Sequence, residues 1–291
     1  MPTLVADTGT ERVPLGPALS IFDPVHVGID EFGHPVRVPL IYRNMLIGGE
    51  PGSGKSGLLN LIAAHGALSL DCRLVLFDGK WVELGQWRDC AEVFVGPSPA
   101  QAMTVLTRLQ IMMDRRYSYL LALGCRKVEL DPERPLPFQP YLVILDEIAY
   151  FSATVGRKQD REDFAVLLRD LVARGRAVGI IVVAATQRPS SDIIPTSLRD
   201  LFAWRFAGRC TTNASSDIVL GHGWAQQGFT ANTISPTNPG AGLLIADGGM
   251  PQLVKAAYLN DETCAAIARY AATLRGVTSR NSVSAVLPAA S

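Results

Sequence analysis

The sequence predicts an α/β fold, a mainly parallel central sheet flanked by helices, and three observations predict it. Short β-like runs alternate with longer helical stretches along most of the 291-residue chain. Those runs are continuously apolar, the pattern of strands buried on both faces beneath helices, rather than alternating as in a sheet with one wet face. One of them runs straight into a glycine-rich turn that opens a helix, as phosphate-binding loops do.

Taken in order, residues 44–48 (NMLIG) predict a strand and residues 55–69 the helix behind it. RLVLF at 73–77 is a second strand, and a long helical pattern over 98–123 ends at Gly124. YLVIL at 141–145 is a third strand, followed by a helix that stops near Gly175 or Gly179. GIIVVAAT at 179–186 is a fourth, WRFAG at 204–208 and GLLIA at 242–246 are further strands, and residues 261–274 close the fold with a helix. Residues 1–20 read as a flexible N-terminal arm, 21–275 as one folded domain and 276–291 as a disordered tail. The four-proline stretch 125–140 reads as a surface insertion.

Composition removes several function classes. With 48% hydrophobic and 19% charged residues the chain is not globally disordered. Its 27 basic residues balance 27 acidic ones, so it does not coat nucleic acid by bulk charge. Five cysteines without a CxxC pair and four scattered histidines give neither a disulfide framework nor a zinc site. The longest apolar run, residues 177–186, is half the length needed to cross a bilayer. The expected setting is cytoplasmic, with membrane contact only through a partner.

The strongest motif is Gly49-Glu50-Pro51-Gly52-Ser53-Gly54-Lys55-Ser56, a full G-x-x-x-x-G-K-[ST] between strand and helix. Phosphate binding needs several backbone N–H groups turned into one concavity, which glycines permit, and a helix N-terminus behind them. Lys55 is expected to reach the β- and γ-phosphates of ATP and the Ser56 hydroxyl to bind Mg²⁺. In YLVILDEIAYF an apolar strand runs into Asp146 and Glu147. Two carboxylates there are costly unless used. Asp146 is placed to hold the metal through water and Glu147 to orient or deprotonate the attacking water. Gln187, at the carboxyl end of the next strand, is placed to contact the γ-phosphate or that water.

Together GGEPGSGKS, FDGK at 77–80, MDRRYSYL at 113–120, VILDE, ARGRAVGI at 173–180 and ATQRP resemble the FtsK/SpoIIIE motor domain over roughly residues 26–260. The resemblance implies a RecA-like P-loop NTPase that assembles as a hexameric ring and moves double-stranded DNA. The compact chain is similar to FtsK-like proteins of actinobacterial plasmids and integrative elements, the TraB/TraSA group, which implies a part in conjugative DNA transfer or chromosome segregation. Lys55, Ser56, Asp146, Glu147 and Gln187 match the family's ATPase residues, and Arg176 aligns with an arginine that acts across the subunit boundary. Asn213 and Asp217 depart from the pattern, standing where relatives carry basic residues. Related motors for folded proteins or single-stranded DNA, and a non-motor nucleotide-dependent adaptor, are the alternatives.

For the polymer, residues 169–209 hold seven arginines and three aspartates, a net +4 in a neutral chain. The segments 151–162 and 188–200, read as loops after strand ends, are the expected pore lining. No recognition helix or zinc finger is present to read bases.

Overall fold

The computed structural model describes residues 4–7, 12–15, 18–129 and 137–276. The elements in chain order are β1 Leu4–Asp7, β2 Arg12–Leu15, β3 Val25–Asp30, β4 Pro35–Val38, β5 Met45–Gly48, α1 Lys55–Leu68, β6 Arg73–Phe77, β7 Val93–Val95 and α2 Pro99–Ala122. They continue with β8 Tyr141–Leu145, α3 Lys158–Arg174, β9 Ile180–Thr186, α4 Thr196–Arg199, β10 Trp204–Gly208, α5 Asn213–Leu220, β11 Ala241–Ala246, β12 Gln252–Ala256 and α6 Asp261–Leu274.

Ten strands make one sheet in the order β4-β3-β12-β11-β10-β5-β9-β8-β6-β7. From β10 to β7 every pairing is parallel. From β10 back to β4 every pairing is antiparallel. The parallel strands are buried on both faces, as their unbroken apolar runs require: β8 and β9 have no exposed residue. Within β8, Val143 and Leu145 face the core shared with Leu109 of α2, Leu168 of α3 and Val219 of α5. Leu142 and Ile144 face the opposite core, shared with Leu58 and Ile62 of α1 and Ala268 of α6.

Helix ends follow local chemistry. The Ser98 hydroxyl accepts from Gln101 N at 3.3 Å, with Pro99 in the first helical position of α2. Asn260 caps α6 through Thr263 N at 2.8 Å. The C-terminal carbonyls of α1 are met from far along the chain: Arg275 donates to Gly66, Ala67 and Ser69. Arg116 of the MDRRYSYL segment is buried and donates to Val178 O at 2.9 Å and Gln139 O at 2.7 Å, pinning α2 to the starts of β8 and β9. Its guanidinium lies 4.2 Å from the Phe138 ring centre, and burial pulls its pKa down to about 10.

Four elements differ from the sequence reading. The stretch expected as an arm carries the antiparallel β1–β2 pair, and Ser20 and Ile21 donate to the Asp71 carboxylate at 2.6 and 3.0 Å. The expected loop 151–162 is mostly helical. A π-helical turn over Tyr150–Thr154 leads to α3, whose start is fixed by the Arg157–Asp160 ion pair at 2.9 Å. The 188–200 segment contains the short helix α4. In the proline-rich insertion Val128 is buried and donates to Ala177 O, while residues 130–136, like the tail 277–291, lie outside the described residues.

Candidate active site

The parallel strands end at one edge of the sheet, and the motif residues gather there. The turn between β5 and α1 needs left-handed backbone at Gly52 (φ +79°) and Gly54 (φ +89°). At Gly54 space is short as well: a Cβ would stand 2.2 Å from Gly240 N. That contact is an arm of the antiparallel half, since Gly240 N donates to Ser53 O at 2.8 Å. Gly54 offers α1 no side-chain cap, so the amides of the first turn face the cleft with their partial positive charge.

A cavity of about 280 Å³ opens over this turn, lined by residues 50–57 together with Gln187, Pro239 and Tyr258. Lys55 Nζ lies buried and bridges Asp146 Oδ1 at 2.9 Å and Asp146 O at 3.1 Å. The second Asp146 oxygen, Oδ2, is buried without a hydrogen-bond partner, and so is the Ser53 hydroxyl. A buried carboxylate oxygen without a donor is costly alone, and a cation is the group it lacks. Among the described residues no cluster of three or more His, Cys, Asp or Glu would hold a metal alone. A divalent ion at Asp146 would therefore share its shell with Ser56, water and phosphate oxygens, the usual habit of Mg²⁺.

Glu147 is turned aside from the cavity. Its Oε1 accepts from Thr186 Oγ1 at 2.6 Å and Ala149 N at 3.2 Å, and its Oε2 from Gln187 N at 2.8 Å. Gln187 itself is on the cavity wall. Arg176 is exposed at the opposite end of β9, before Ile180. Seven strand residues at ~3.3 Å each put it roughly 20 Å from Gln187, so the two do not share a site within one chain.

The sequence reading placed Glu50 in the phosphate loop and missed three other contributors. Glu50 forms an ion pair with Arg209 and accepts from Thr211 Oγ1 at 2.5 Å, tying the phosphate loop to the end of β10. Thr186, Pro239 and Tyr258 are the others. Only Thr186, within ATQRP, carried a sequence signal. Other motif residues prove structural. Asp78 of FDGK is buried and accepts from Lys80, Glu83 and Leu84 amides at 2.9–3.0 Å. Asp217 accepts from Gly223 N at 3.1 Å and Ala225 N at 2.9 Å, shaping the turn after α5, and Asn213 accepts from Thr230 Oγ1 at 2.7 Å. The arginine-rich run is not a stripe of open charge. Arg174, Arg188, Arg199, Arg205 and Arg209 all form ion pairs with acidic neighbours, leaving Arg169 and Arg176 outside any ion pair among the described residues.

Comparison with known proteins agrees with this geometry. Residues 23–135 match the FtsK/SpoIIIE family. The DNA translocase FtsK of Treponema pallidum is 29% identical over 259 residues, covering 84% of this chain and 31% of that protein. The chain thus spans about a third of the length of the curated relatives it matches. Among solved structures, the pCW3 conjugation coupling protein TcpA, in its monomer form with ATPγS, superposes with a TM-score of 0.72 at 22% identity, covering 87% of this chain and 71% of that one. The cytoplasmic domain of the Thermomonospora curvata type VII secretion ATPase EccC gives 0.68 at 22% identity, over 88% of this chain and 32% of that one. At such identities the two structures speak for the fold. Among the described residues no helix is long and apolar enough to cross a membrane. Phosphate loop, sheet order and sequence relatives point the same way: residues 23–135 match the FtsK/SpoIIIE family, and the chain has the fold of P-loop ATPase motor domains.

Proposed function

We propose that this chain is an ATP-hydrolysing motor that moves double-stranded DNA, in conjugative transfer or chromosome segregation. The carrying observation is the cavity between the phosphate loop and Gln187, with its lining residue Lys55 resting on the buried Asp146 and one Asp146 oxygen unpartnered. Sequence relatives named DNA translocase FtsK supply the polymer.

In this reading incoming ATP takes Lys55 from Asp146. The buried ammonium exchanges one carboxylate for the β- and γ-phosphate oxygens, so little charge is left uncompensated. Asp146 and Ser56 are the residues that would hold Mg²⁺, which would supply charge neutralisation at the phosphates. Amides at the start of α1 receive the remaining phosphate oxygens. Glu147 orients the attacking water and accepts its proton. Arg176, remote from its own cavity, reaches the cavity of a second copy in a ring of six, where its planar fork of donors meets the charge developing on the transferred phosphoryl group. Residues 21–275 form the motor. Recruitment to a membrane comes through a partner.

A second reading, a motor for folded protein, has one observation in its favour, the likeness to the EccC ATPase fold. Steady-state ATP turnover with Mg²⁺ separates them. It is measured without polymer, with single-stranded DNA and with duplex of increasing length, with Lys55→Ala and Glu147→Gln as controls. The DNA reading expects stimulation that grows with duplex length. Glu147→Gln should lower it about 10²–10⁴-fold, the range for losing a general base. Turnover indifferent to every DNA added sinks that reading.

A further inference from the structure

Glu147 is the residue assigned to activate water, yet it does not face the cavity. Both carboxylate oxygens are engaged by the end of β9 and by its own turn, and the shortest of these bonds is the 2.6 Å one from the Thr186 hydroxyl. Thr186 is fully buried. Its hydroxyl has one proton and two acceptors in reach, Glu147 Oε1 at 2.6 Å and Arg188 O at 3.3 Å. The shorter contact to a carboxylate wins. The same oxygen accepts from Arg188 N at 3.1 Å. A continuous relay therefore runs from the Arg188 amide through the Thr186 hydroxyl to Glu147, with the Gln187 amide as a parallel arm.

The relay begins where two signals meet. The Gln187 side chain lines the cavity, where a γ-phosphate would sit. Arg188 opens the 188–200 segment, which leaves the sheet edge as an exposed turn braced by the Arg188–Asp192 pair at 3.4 Å. A shift of residues 187–189 from either side stretches the bonds that hold Glu147. Thr186 does cap the strand end by accepting from Arg188 N, but a cap alone needs no carboxylate, and here the hydroxyl proton goes to one just past the end of β8.

We propose that Thr186 is a positioning residue, a latch that holds Glu147 away from the cavity until the segment after β9 moves. Resting on the ATPase reading above, the latch keeps turnover low without polymer and releases the general base when nucleotide and polymer together displace residues 187–189.

Two variants test it in the full chain. Thr186→Val keeps the shape of a buried β-branched side chain and removes the hydroxyl, whereas Thr186→Ser keeps the hydroxyl. Amide hydrogen exchange without nucleotide should show Gln187 and Arg188 exchanging roughly three- to tenfold faster in Thr186→Val, the scale of one lost hydrogen bond, and near wild type in Thr186→Ser. Turnover without polymer should rise by a similar factor in Thr186→Val, the ratio of duplex-stimulated to basal turnover should fall, and Thr186→Ser should restore both. Unchanged exchange in Thr186→Val overturns the latch. So does a loss of turnover equal with and without duplex, the signature of a merely structural threonine. The exchange arm needs no catalysis: wild-type exchange in an active ATPase removes the latch alone, and faster exchange in a protein that never hydrolyses ATP removes the ATPase reading.

Discussion

The two halves of the sheet are built by opposite rules. From β10 to β7 the strands are parallel and largely apolar, β8 and β9 buried from end to end, and they bring Lys55, Asp146, Glu147 and Gln187 to one edge. From β11 to β4 they are antiparallel; β11 is still buried, but β3, β4 and β12 mix exposed and buried residues. On the proposed reading the first half holds the chemistry. The second braces it: Gly240, leading into β11, donates to the phosphate loop, and Pro239 and Tyr258 close one wall of the cavity. The residues assigned to react follow on strands buried on both faces. Residues that shape the site come from a half-solvated extension that crosses back to it.

The glycines of the phosphate loop weigh that bracing, and they carry the largest expected effect. Gly52 and Gly54 both have positive φ, so alanine costs each about 1–2 kcal/mol of backbone strain. At Gly52 the added methyl meets nothing within 4 Å, whereas at Gly54 it meets the Gly240 backbone at 2.2 Å. Gly54→Ala should abolish binding of an ATP analogue in titration calorimetry and lower the melting temperature. Gly52→Ala should retain weakened binding. Equal behaviour of the two would show that the antiparallel half leaves the loop unbraced.

Next in size is Arg116, at the opposite edge of the parallel half. It carries one of the more family-specific segments, yet it touches only carbonyls and aromatic rings. Arg116→Met strips buried carbonyls of a charged donor, at about 1–3 kcal/mol. A lower urea midpoint with turnover per folded molecule unchanged is the expected result. A loss of turnover at full stability would move Arg116 from scaffold to mechanism.

The sequence was most legible where signal and structure are both local. The phosphate loop lies between its own strand and helix, and Asp146–Glu147 ends its own strand, so residue order alone located them. Of the antiparallel half only β11, an apolar run, was legible; the rest was not, for the converse reason. β3, β4 and β12 mix exposed with buried residues, so no apolar run marks them. Tyr258 reaches the cavity only because the sheet places β12 two strands from β10. Direction was hidden too: the sequence set Glu147 beside the phosphates, but the contact that turns it aside comes from Thr186 on the neighbouring strand. The charge count over residues 169–209 left out acids distant in sequence: Asp114 pairs with Arg174 and Glu50 with Arg209.

Tyr258 gives the smallest effect and the most direct measure of what the antiparallel half adds. Its ring is largely exposed, so it contributes little to the core, yet it lines the cavity beside Gly57 and opposite no other aromatic residue. A planar ring at that rim suits the base of a nucleotide whose phosphates lie on the loop. Stacking of a base on an aromatic side chain amounts to ~1–3 kcal/mol by alanine substitution. Tyr258→Ala should therefore raise the Kd for ATP about fivefold or more and leave the melting temperature of the nucleotide-free protein unchanged, while Tyr258→Phe should bind as wild type. Tripolyphosphate, which has no base, should bind all three alike. An alanine variant that binds ATP normally would confine nucleotide recognition to the parallel half and leave the other half only its hold on the loop.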